Sequence, residues 1–365
     1  MSTPIKNINI TRKTVLIAPL DWGLGHATRC IPVIQALLSQ NFIVFIAAEG
    51  NSATLLRKEF PDITILSLTG YNISYTNKKV LFNAKIFLQI PKILRAIRQE
   101  NKWLKQIIKE YKIDIVISDN RYGLYNGRIK SIFVTHQLAI ETGYTFTNWV
   151  VQKLNYNLIN NFDDCWIPDE KMPNDLAGKL SNPNKMPFIP VNYIGPLSRF
   201  SKQQKDKNIE LLVLLSGPEP QRTILEKLML EQMNELEYKM ILVRGLPGVE
   251  DKLGVNNKAI TTYNHLNADE LSVIIQSAKI IVARSGYSTI MDLVALQQKA
   301  ILIPTPGQTE QEYLAEYLAK KKYYIRAKQS GFNLKKEIQN LGSLQENVMA
   351  TPDINDLERA INTLK

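Results

Sequence analysis

The chain has 365 residues, 45% hydrophobic and 22% charged, an ordinary composition for a globular protein long enough to form two domains. Its 45 basic and 34 acidic residues give a net charge of +11, which favours anionic partners. Zinc spacing, RNA-binding strand signatures and long Lys/Arg blocks are missing, so we expect no nucleic acid partner. No apolar run approaches the roughly 18 residues of a membrane-spanning helix. The segment from Met1 to Lys13 does not resemble a secretion signal. Two cysteines, Cys30 and Cys165, are too few for a disulfide framework. We therefore expect a cytoplasmic protein.

In the first half of the chain, short apolar runs alternate with helical patterns. The predicted strands are Val15–Pro19, Ile43–Ala47, Thr64–Leu68, Ile113–Ser118 and Ile132–Thr135. The predicted helices are Ile31–Leu38, Ala53–Phe60, Ala84–Tyr111 and Asn148–Asn160. Such alternation is typical of a parallel sheet covered by helices on both faces.

The second half repeats this α/β plan. Its predicted strands are Glu210–Leu215, Met240–Arg244, Ile280–Ala283 and Ala300–Pro304, and its predicted helices are Thr223–Leu236, Ala268–Ser277, Ser288–Leu296 and Ile354–Leu364. Gly195-Pro196 and the polar stretch Ser201–Asn208 indicate a linker between the halves. We therefore predict a domain over 1–195, a second domain over 196–350, and a C-terminal helical segment over 351–365 that crosses back to the first domain.

A glycine turn follows the first predicted strand, in the stretch Asp21-Trp22-Gly23-Leu24-Gly25-His26. The glycines allow a sharp turn and leave room for a ligand above the next helix. A dinucleotide-binding turn would continue toward a third glycine, whereas this turn ends in a histidine. A histidine at a helix N-terminus points to proton chemistry, and its structural alternative is a residue that only caps or packs against the helix.

A second motif, Arg284-Ser285-Gly286-Tyr287-Ser288, follows a predicted strand of the second half. Its turn and helix N-terminus suit a diphosphate, and Asp292 lies one helical turn after Ser288, where it can meet ribose hydroxyls. The stretch Gln308–Glu312 follows the next strand and offers amide and carboxylate groups to sugar hydroxyls. The alternative for this motif is a plain strand-to-helix turn, with Arg284 as a structural ion-pair partner.

Together these motifs resemble a two-domain glycosyltransferase of the GT-B type. The resemblance is closest to family 28, the group of the lipid-linked N-acetylglucosaminyltransferase of peptidoglycan synthesis and related diacylglycerol glycosyltransferases. It is carried by Gly23-Leu24-Gly25-His26, Thr135-His136-Gln137, Ser216-Gly217-Pro218, Arg284-Ser285-Gly286 with Asp292 in place of the family's Glu, and Gln311-Glu312 at the family's Gln-Gln pair. It spans nearly the whole chain.

The resemblance implies two Rossmann-like parallel-sheet domains that face a cleft, and an inverting sugar transfer. The donor would be a nucleotide diphosphate sugar, UDP-linked and carrying an N-acetylhexosamine, and the acceptor a hydroxyl compound, lipid-linked or of the cell envelope. No metal or other cofactor is expected. His26 would be the catalytic base. The implied donor residues are Gly217, Arg284, Ser285, Gly286, Tyr287, Ser288, Asp292, Gln308, Glu310, Gln311 and Glu312, and the implied acceptor-side residues are Gly23, Gly25, Arg29, Asn120, His136 and Gln137.

Three other functions remain open at this stage. A non-hydrolysing sugar-nucleotide epimerase shares the architecture but needs more acid/base groups around the donor sugar. An NAD-dependent oxidoreductase is suggested by Glu49 after the second strand, although Thr28 stands where a third glycine is expected. The third is a sugar-nucleotide-binding protein without catalysis.

The basic, apolar segment Lys79–Lys109 has two interpretations. One is a surface that touches an anionic membrane, which would place the protein at the inner face of the cytoplasmic membrane. The other is a core-facing helix with a solvated basic side, broken near Pro91.

Overall fold

Two parallel sheets, one in each half of the chain, form the framework of the protein. The computed structural model describes residues 12–21, 23–71, 79–140, 145–251, 253–342 and 355–365, with the backbone alone for 79–90 and 145–147. The first sheet has seven strands in the order β3-β2-β1-β4-β5-β6-β7, and the second has six in the order β10-β9-β8-β11-β12-β13. Every strand pair in both sheets is parallel, which confirms the α/β, GT-B-like fold class expected from the sequence.

The elements of the first half are β1 (Thr14–Pro19), α1 (Leu24–Ser39), β2 (Ile43–Ala47), α2 (Gly50–Glu59), β3 (Ile65–Leu66), α3 (Lys79–Tyr111), β4 (Ile115–Asp119), β5 (Lys130–Val134), α4 (Thr145–Ile159), β6 (Asp164–Ile167) and β7 (Val191–Tyr193). Strand β1 is buried along its whole length. Val15 and Ile17 pack into one hydrophobic cluster and Leu16 and Ala18 into another, as alternate residues of a strand covered on both faces must.

The elements of the second half are β8 (Ile209–Leu214), α5 (Gln221–Met233), β9 (Met240–Val243), β10 (Ile260–Tyr263), α6 (Ala268–Ser277), β11 (Ala278–Ala283), α7 (Tyr287–Ala295), β12 (Ala300–Leu302), α8 (Thr309–Lys320), β13 (Ile325–Arg326), α9 (Leu334–Gly342) and α10 (Asn355–Asn362). Helix α6 starts with a capping box, in which the Asn267 side chain accepts from the Glu270 backbone and Glu270 returns the bond.

The C-terminal helix α10 returns to the first half and packs on α1. Lys13 Nζ donates to the Leu364 carbonyl at 2.9 Å, and Gln40 Nε2 donates to the Glu358 carbonyl at 3.3 Å. The expected crossing back is confirmed. The first sheet ends at Tyr193 and the second begins at Ile209, while the exact domain boundaries stay a prediction.

Several elements differ from the prediction. Helix α3 continues through Pro91 instead of breaking there, and the side chains of residues 79–90 in the proposed membrane surface lie outside those described. The stretch Gln308–Glu312, for which no helix was predicted, is helical from Thr309, where α8 begins. Strand β4 ends at Asp119, one residue later than predicted, which matters for the site.

The order of the strands reverses at one place in each sheet. Strands β2 and β4 flank β1 in the first sheet, and β9 and β11 flank β8 in the second. Ligands of open parallel sheets bind outside the carboxyl ends of the strands at such a switch point. The turns after β1 and β4, and those after β8 and β11, therefore define where a site is expected.

Candidate active site

The first switch point brings His26 and Asp119 together. Asp119 ends β4 opposite Pro19 of β1 in the strand register, and His26 lies in the first turn of α1. His26 Nδ1 is 3.0 Å from Asp119 Oδ2, and the histidine side chain is 15% exposed. A histidine held through Nδ1 by a carboxylate presents its other nitrogen, Nε2, to a ligand.

Arg29, one helical turn after His26, links this pair into a buried charged network. Its Nε donates to Asp119 Oδ2 at 2.7 Å, and its Nη2 contacts Asp119 Oδ1 and lies 2.8 Å from His26 Nδ1. Burial and the guanidinium of Arg29 lower the pKa of His26, although Asp119 acts in the opposite direction. Burial would raise the pKa of Asp119, but Arg29 and His26 lower it to about 2. The network thus favours a neutral His26 beside an ionised Asp119.

His136 carries the network across to the second half of the chain. Arg29 Nη1 lies 3.1 Å from His136 Nδ1, and His136 Nε2 lies 2.8 Å from Glu310 Oε1 in α8. The His136 ring also stacks on Tyr287, with ring centroids 4.1 Å apart and planes 4° apart. Tyr287 in turn donates to the Pro168 carbonyl of the first half at 2.8 Å. The two halves therefore contact each other through residues predicted to bind the acceptor, such as His136, and residues predicted to bind the donor, such as Tyr287 and Glu310.

The second switch point carries an open cavity of 190 Å³ between the halves. Its walls include residues from the turns after β8, β9 and β10, from helices α1 and α7, and from the linker: Gly25, Arg199, Ser216, Gly245, His265, Ser288, Thr289 and Asp292. Ser288 Oγ donates to the Gly25 carbonyl at 3.0 Å, so α7 and α1 approach closely at this cavity. A Cβ on Gly25 would come within 2.8 Å of that hydroxyl, which explains the need for glycine here.

Asp292 lies in the wall of this cavity and is held by the linker. Ser198 Oγ donates to Asp292 Oδ1 at 2.7 Å, and the Leu197 amide lies 3.2 Å from Met291 Sδ. Burial raises the pKa of Asp292 to about 6, against the lowering effects of Ser198 and Arg199. Its second oxygen, Oδ2, is not used by the Ser198 bond.

Other predicted donor residues have internal partners. Arg284 is buried, and its guanidinium donates to the carbonyls of Ile303, Pro304 and Gln221 and to Gln329 Oε1 at 2.7–3.3 Å. Ser285 Oγ donates to the Gln311 carbonyl at 2.9 Å. These bonds tie the turn after β11 to α8, and a direct donor contact from Arg284 stays a prediction.

The start of α8 is ordered by its own polar side chains. Gln311 Oε1 accepts from the Thr305 amide at 2.9 Å, and Gln311 Nε2 donates to Gln308 Oε1 at 2.6 Å. Glu312 Oε1 accepts from the Gly307 amide at 3.1 Å. Gly217, exposed with φ of 100°, lies beside the same region, since a Cβ there would be 3.5 Å from Thr305 Oγ1. Gly286 is the N-cap of α7, where no side chain caps the first turn.

Comparison with known proteins decides the class of the protein. Residues 221–362 match the model of the glycosyltransferase family 28 C-terminal domain, and residues 19–132 match that of glycosyl transferase family 1. The chain is a glycosyltransferase. The match to family 28 covers residues 221–362, and the fold of the chain is GT-B.

Relatives along nearly the full length agree with this class. The UDP-N-acetylglucosamine--N-acetylmuramyl-(pentapeptide) pyrophosphoryl-undecaprenol N-acetylglucosamine transferase of Histophilus somni is 26% identical over 324 residues, covering 84% of this chain and 83% of the relative. A glycosyltransferase of Methanosarcina mazei is 22% identical over 324 residues, covering 82% of each chain.

Solved structures show the same fold. Acinetobacter baumannii MurG aligns with a TM-score of 0.59 at 15% identity, covering 97% of this chain and 99% of MurG. The glycosyltransferase of kitacinnamycin aligns with a TM-score of 0.65 at 14% identity, covering 97% of this chain and 96% of that one. The glycosyltransferase class thus takes precedence over the epimerase and oxidoreductase hypotheses.

Two residues of the glycosyltransferase site were not predicted as such. Asp119 was missed because the strand was ended at Ser118, although an acid at the carboxyl end of a parallel strand beside a histidine turn was the available signal. His265, in the turn after β10, lines the cavity between the halves.

The remaining acceptor-side residues surround the first switch point. Gly23 is the N-cap of α1 with φ of 79°, a conformation that favours glycine, and Trp22 beside it lies outside the described residues. Asn120 directly follows Asp119 with φ of 56°, and its amide donates to the Val134 carbonyl at 3.1 Å. Gln137 follows His136, and its amide donates to Thr135 Oγ1 at 3.0 Å.

The described residues contain neither a metal-binding cluster nor a membrane-spanning helix. In the described part of the glycosyltransferase, no group of three or more His, Cys, Asp or Glu side chains is placed to hold a metal, and metal independence stays a prediction. Across the same residues, no helix is both long and apolar enough to cross a bilayer.

Proposed function

We propose that this glycosyltransferase moves a sugar from a nucleotide diphosphate donor to an acceptor hydroxyl with inversion, using His26 as the base. The observation that carries the proposal is the 3.0 Å contact between His26 Nδ1 and Asp119 Oδ2, at the edge of the cleft between the halves. The proposal requires the tautomer in which Nδ1 donates its proton to Asp119 and Arg29 donates to Asp119 alone, because Nε2 is then free to accept a proton. The lowered pKa of His26 keeps this nitrogen unprotonated at neutral pH.

The proposed step is a single displacement. Nε2 of His26 takes the proton of the acceptor hydroxyl, whose oxygen forms a bond to the anomeric carbon of the donor sugar. The bond from that carbon to the diphosphate oxygen breaks, and the nucleotide diphosphate leaves with the electron pair. One displacement inverts the anomeric carbon. Asp119 stabilises the imidazolium formed at His26 and fixes its orientation.

The donor is proposed to occupy the 190 Å³ cavity at the second switch point. The N-cap of α7 is Gly286, so no N-cap side chain bonds the backbone N–H groups of the first turn. These N–H groups and the positive end of the helix dipole can stabilise the leaving diphosphate. Asp292 in the cavity wall is suited to bind the ribose hydroxyls of the donor. Glu310 and Gln311, at the start of α8, are suited to bind the hydroxyls of the donor sugar. The Histophilus somni relative is a UDP-N-acetylglucosamine-dependent transferase by name, which supports a UDP-linked N-acetylhexosamine donor.

The acceptor is proposed to be a hydroxyl compound of the cell envelope that is attached to a lipid. The support is the same relative, which acts on a pyrophosphoryl-undecaprenol compound. Peripheral contact with the inner face of the cytoplasmic membrane accompanies this proposal. The net charge of +11 is suited to an anionic lipid surface.

Thermal shift with UDP, UDP-sugars, dTDP-sugars and NAD tests the donor class. We expect UDP and UDP-sugars to raise the melting temperature, whereas stabilisation by NAD alone would contradict the proposal.

His26→Ala should lower kcat about 10²- to 10⁴-fold while UDP binding is retained. His265→Ala is the matched variant, because His265 lines the donor cavity and its loss should change donor KM more than kcat. NMR of the product from an α-linked donor should show a β linkage.

A further inference from the structure

One face of helix α8 packs against the first half of the chain. Four side chains of this face, spaced three or four residues apart, contact the first half: Glu310, Tyr313, Tyr317 and, at the C-cap, Lys321. Glu310 contacts His136, whereas the other three contact the segment 168–181, which follows β6. The proposed function uses Glu310 and leaves the other three contacts without a role.

Lys321 and Asp175 form an ion pair across the interface between the two halves. Lys321 Nζ lies 2.8 Å from Asp175 Oδ1, and it also donates to the carbonyls of Asp175 at 2.7 Å and of Pro173 at 2.9 Å. The Asp175 side chain is fully buried, and the Tyr317 hydroxyl donates to its Oδ2 at 2.8 Å. Movement of α8 away from the first half is therefore opposed by the cost of leaving a buried carboxylate unpaired.

The segment after β6 is itself fixed by a second buried carboxylate, that of Asp169. Its oxygens accept from three backbone amides and one hydroxyl of the segment, at 2.5–3.0 Å: those of Glu170, Leu176, Ala177 and Ser181. Gly178, with φ of 54°, lies so close to α8 that a Cβ there would collide with the Tyr313 hydroxyl and the Tyr317 ring. The segment thus presents Asp175 to α8 in a fixed position.

Helix α8 connects this ion pair to the residue at the cleft. Lys321 lies about three turns after Glu310, about 16 Å along the helix axis. Because a helix is rigid over this length, a contact that fixes its end also fixes its start. We propose that Asp175 and Lys321 are positioning residues of the donor site, which act through α8 to hold the Glu310 carboxylate at the donor sugar. The inference rests on the proposed function, because that function assigns Glu310 to the donor sugar.

The nucleotide itself should not depend on this pair. The 190 Å³ cavity proposed for it is lined by other elements, and none of its described lining residues belongs to α8. Loss of the ion pair should therefore weaken binding of a donor that carries its sugar more than binding of the nucleotide diphosphate alone. A pair that only holds the halves together would affect both ligands alike, because residues of both halves line the cavity.

Calorimetric titration of the full chain with UDP-N-acetylglucosamine and with UDP tests this difference and needs no acceptor. We expect Lys321→Met to raise the Kd for UDP-N-acetylglucosamine about tenfold, the loss typical of one charged hydrogen bond, and the Kd for UDP less than about twofold. Lys321→Arg should restore most of the affinity, because its guanidinium can pair with the Asp175 carboxylate. Tyr317→Phe removes only the bond to Asp175 Oδ2 and keeps both charges, so it provides the test if Lys321→Met does not fold. It should raise the Kd for UDP-N-acetylglucosamine about two- to fivefold.

Lys320→Met is the matched control, since Lys320 is exposed and pairs with Glu316 of α8 instead of with the first half. It should leave both Kd values unchanged. Because the ion pair acts through Glu310, Lys321→Met should have no further effect on the Kd for UDP-N-acetylglucosamine in a Glu310→Gln background. A purely structural role would instead give losses that add.

Three results would overturn the inference. The first is wild-type affinity for UDP-N-acetylglucosamine in both Lys321→Met and Tyr317→Phe. The second is an equal rise of both Kd values in either variant, and the third is additive loss in the Lys321→Met, Glu310→Gln double variant. Absence of UDP binding by the wild type would contradict the proposed function itself, and the inference with it, so the two failures are distinguishable in the same titrations.

Discussion

The two switch points of this glycosyltransferase are built in opposite ways. At the first, the charged side chains between the end of β4 and the first turn of α1 contact one another, from His26 through Asp119 and Arg29 to His136. At the second, turns and the first part of α7 surround a cavity whose walls include small residues such as Ser216, Gly245 and Ser288. A group that transfers a proton must be held in one geometry before substrate arrives, whereas a nucleotide supplies much of its own contact surface. We therefore expect changes at the first point to act on kcat and changes at the second to act on donor KM.

The largest expected effect is that of Asp119→Asn. The amide keeps the shape of the carboxylate but removes the charge that orients Nδ1 of His26 and stabilises its protonated form. We expect kcat to fall at least about 100-fold, with donor KM within about threefold, as steady-state kinetics would measure. Asp114→Asn is the control on the same segment, because Asp114 is exposed and bonds the Thr14 amide at the far end of the sheet. An equal loss in both variants would mean that Asp119 acts only through stability.

Glu310→Gln tests the contact that joins the two switch points. The change removes the charge from the 2.8 Å pair with His136, and Glu310 also stands at the proposed donor sugar. We expect kcat/KM for the donor to fall about tenfold, the loss of one charged hydrogen bond. Glu316→Gln, an exposed acid of the same helix α8, should leave kcat/KM unchanged. If both variants behave alike, the cross-half pair does not contribute to catalysis.

The two switch points should also respond differently to pH. Because the pKa of His26 is lowered, the proposed base becomes protonated only below its usual pKa of 6.5, so kcat should stay level from pH 8 to 6.5. The pKa of Asp292 is raised to about 6, so its carboxylate is lost on acidification near pH 6 and UDP should bind several-fold more weakly below that pH. Calorimetry of UDP binding to the wild type and Asp292→Asn separates this effect from protonation of UDP itself. Identical pH profiles in the two proteins would show that Asp292 does not contact the donor.

The sequence predicted the sheets better than their edges. Strand β1 after Thr14 and the Ile280–Ala283 part of β11 are continuous apolar runs, because parallel strands covered on both faces need no polar alternation. The edge strands β7 and β13 have three and two residues, and their pairing depends on neighbours distant in sequence. Helix α8 was missed because Pro304-Thr305-Pro306-Gly307 precedes it, although acids at Glu310 and Glu312 mark its first turn.

The sequence indicates single residues of the site but not the contacts between them. The glycine turn identified His26, since that signal is local to one strand and one helix. Its partner Asp119 lies 93 residues away, and only the register of β1 with β4 places the two side by side. Likewise, Ser198 belongs to a segment predicted only as a linker, and its bond to Asp292 follows from how the two sheets are joined.

The smallest expected effect comes from that linker bond. Ser198→Ala removes the 2.7 Å hydrogen bond to Asp292 Oδ1 without touching the first switch point. Because Ser198 lowers the pKa of Asp292, its loss should raise that pKa and loosen the carboxylate, so donor KM should rise about two- to fivefold at neutral pH. Ser201→Ala, at an exposed serine three residues further along the linker, is the control. A change in kcat with donor KM unaltered would indicate that Ser198 acts in domain closure rather than in donor binding. It would also contradict the expectation that changes at the second switch point act on donor KM.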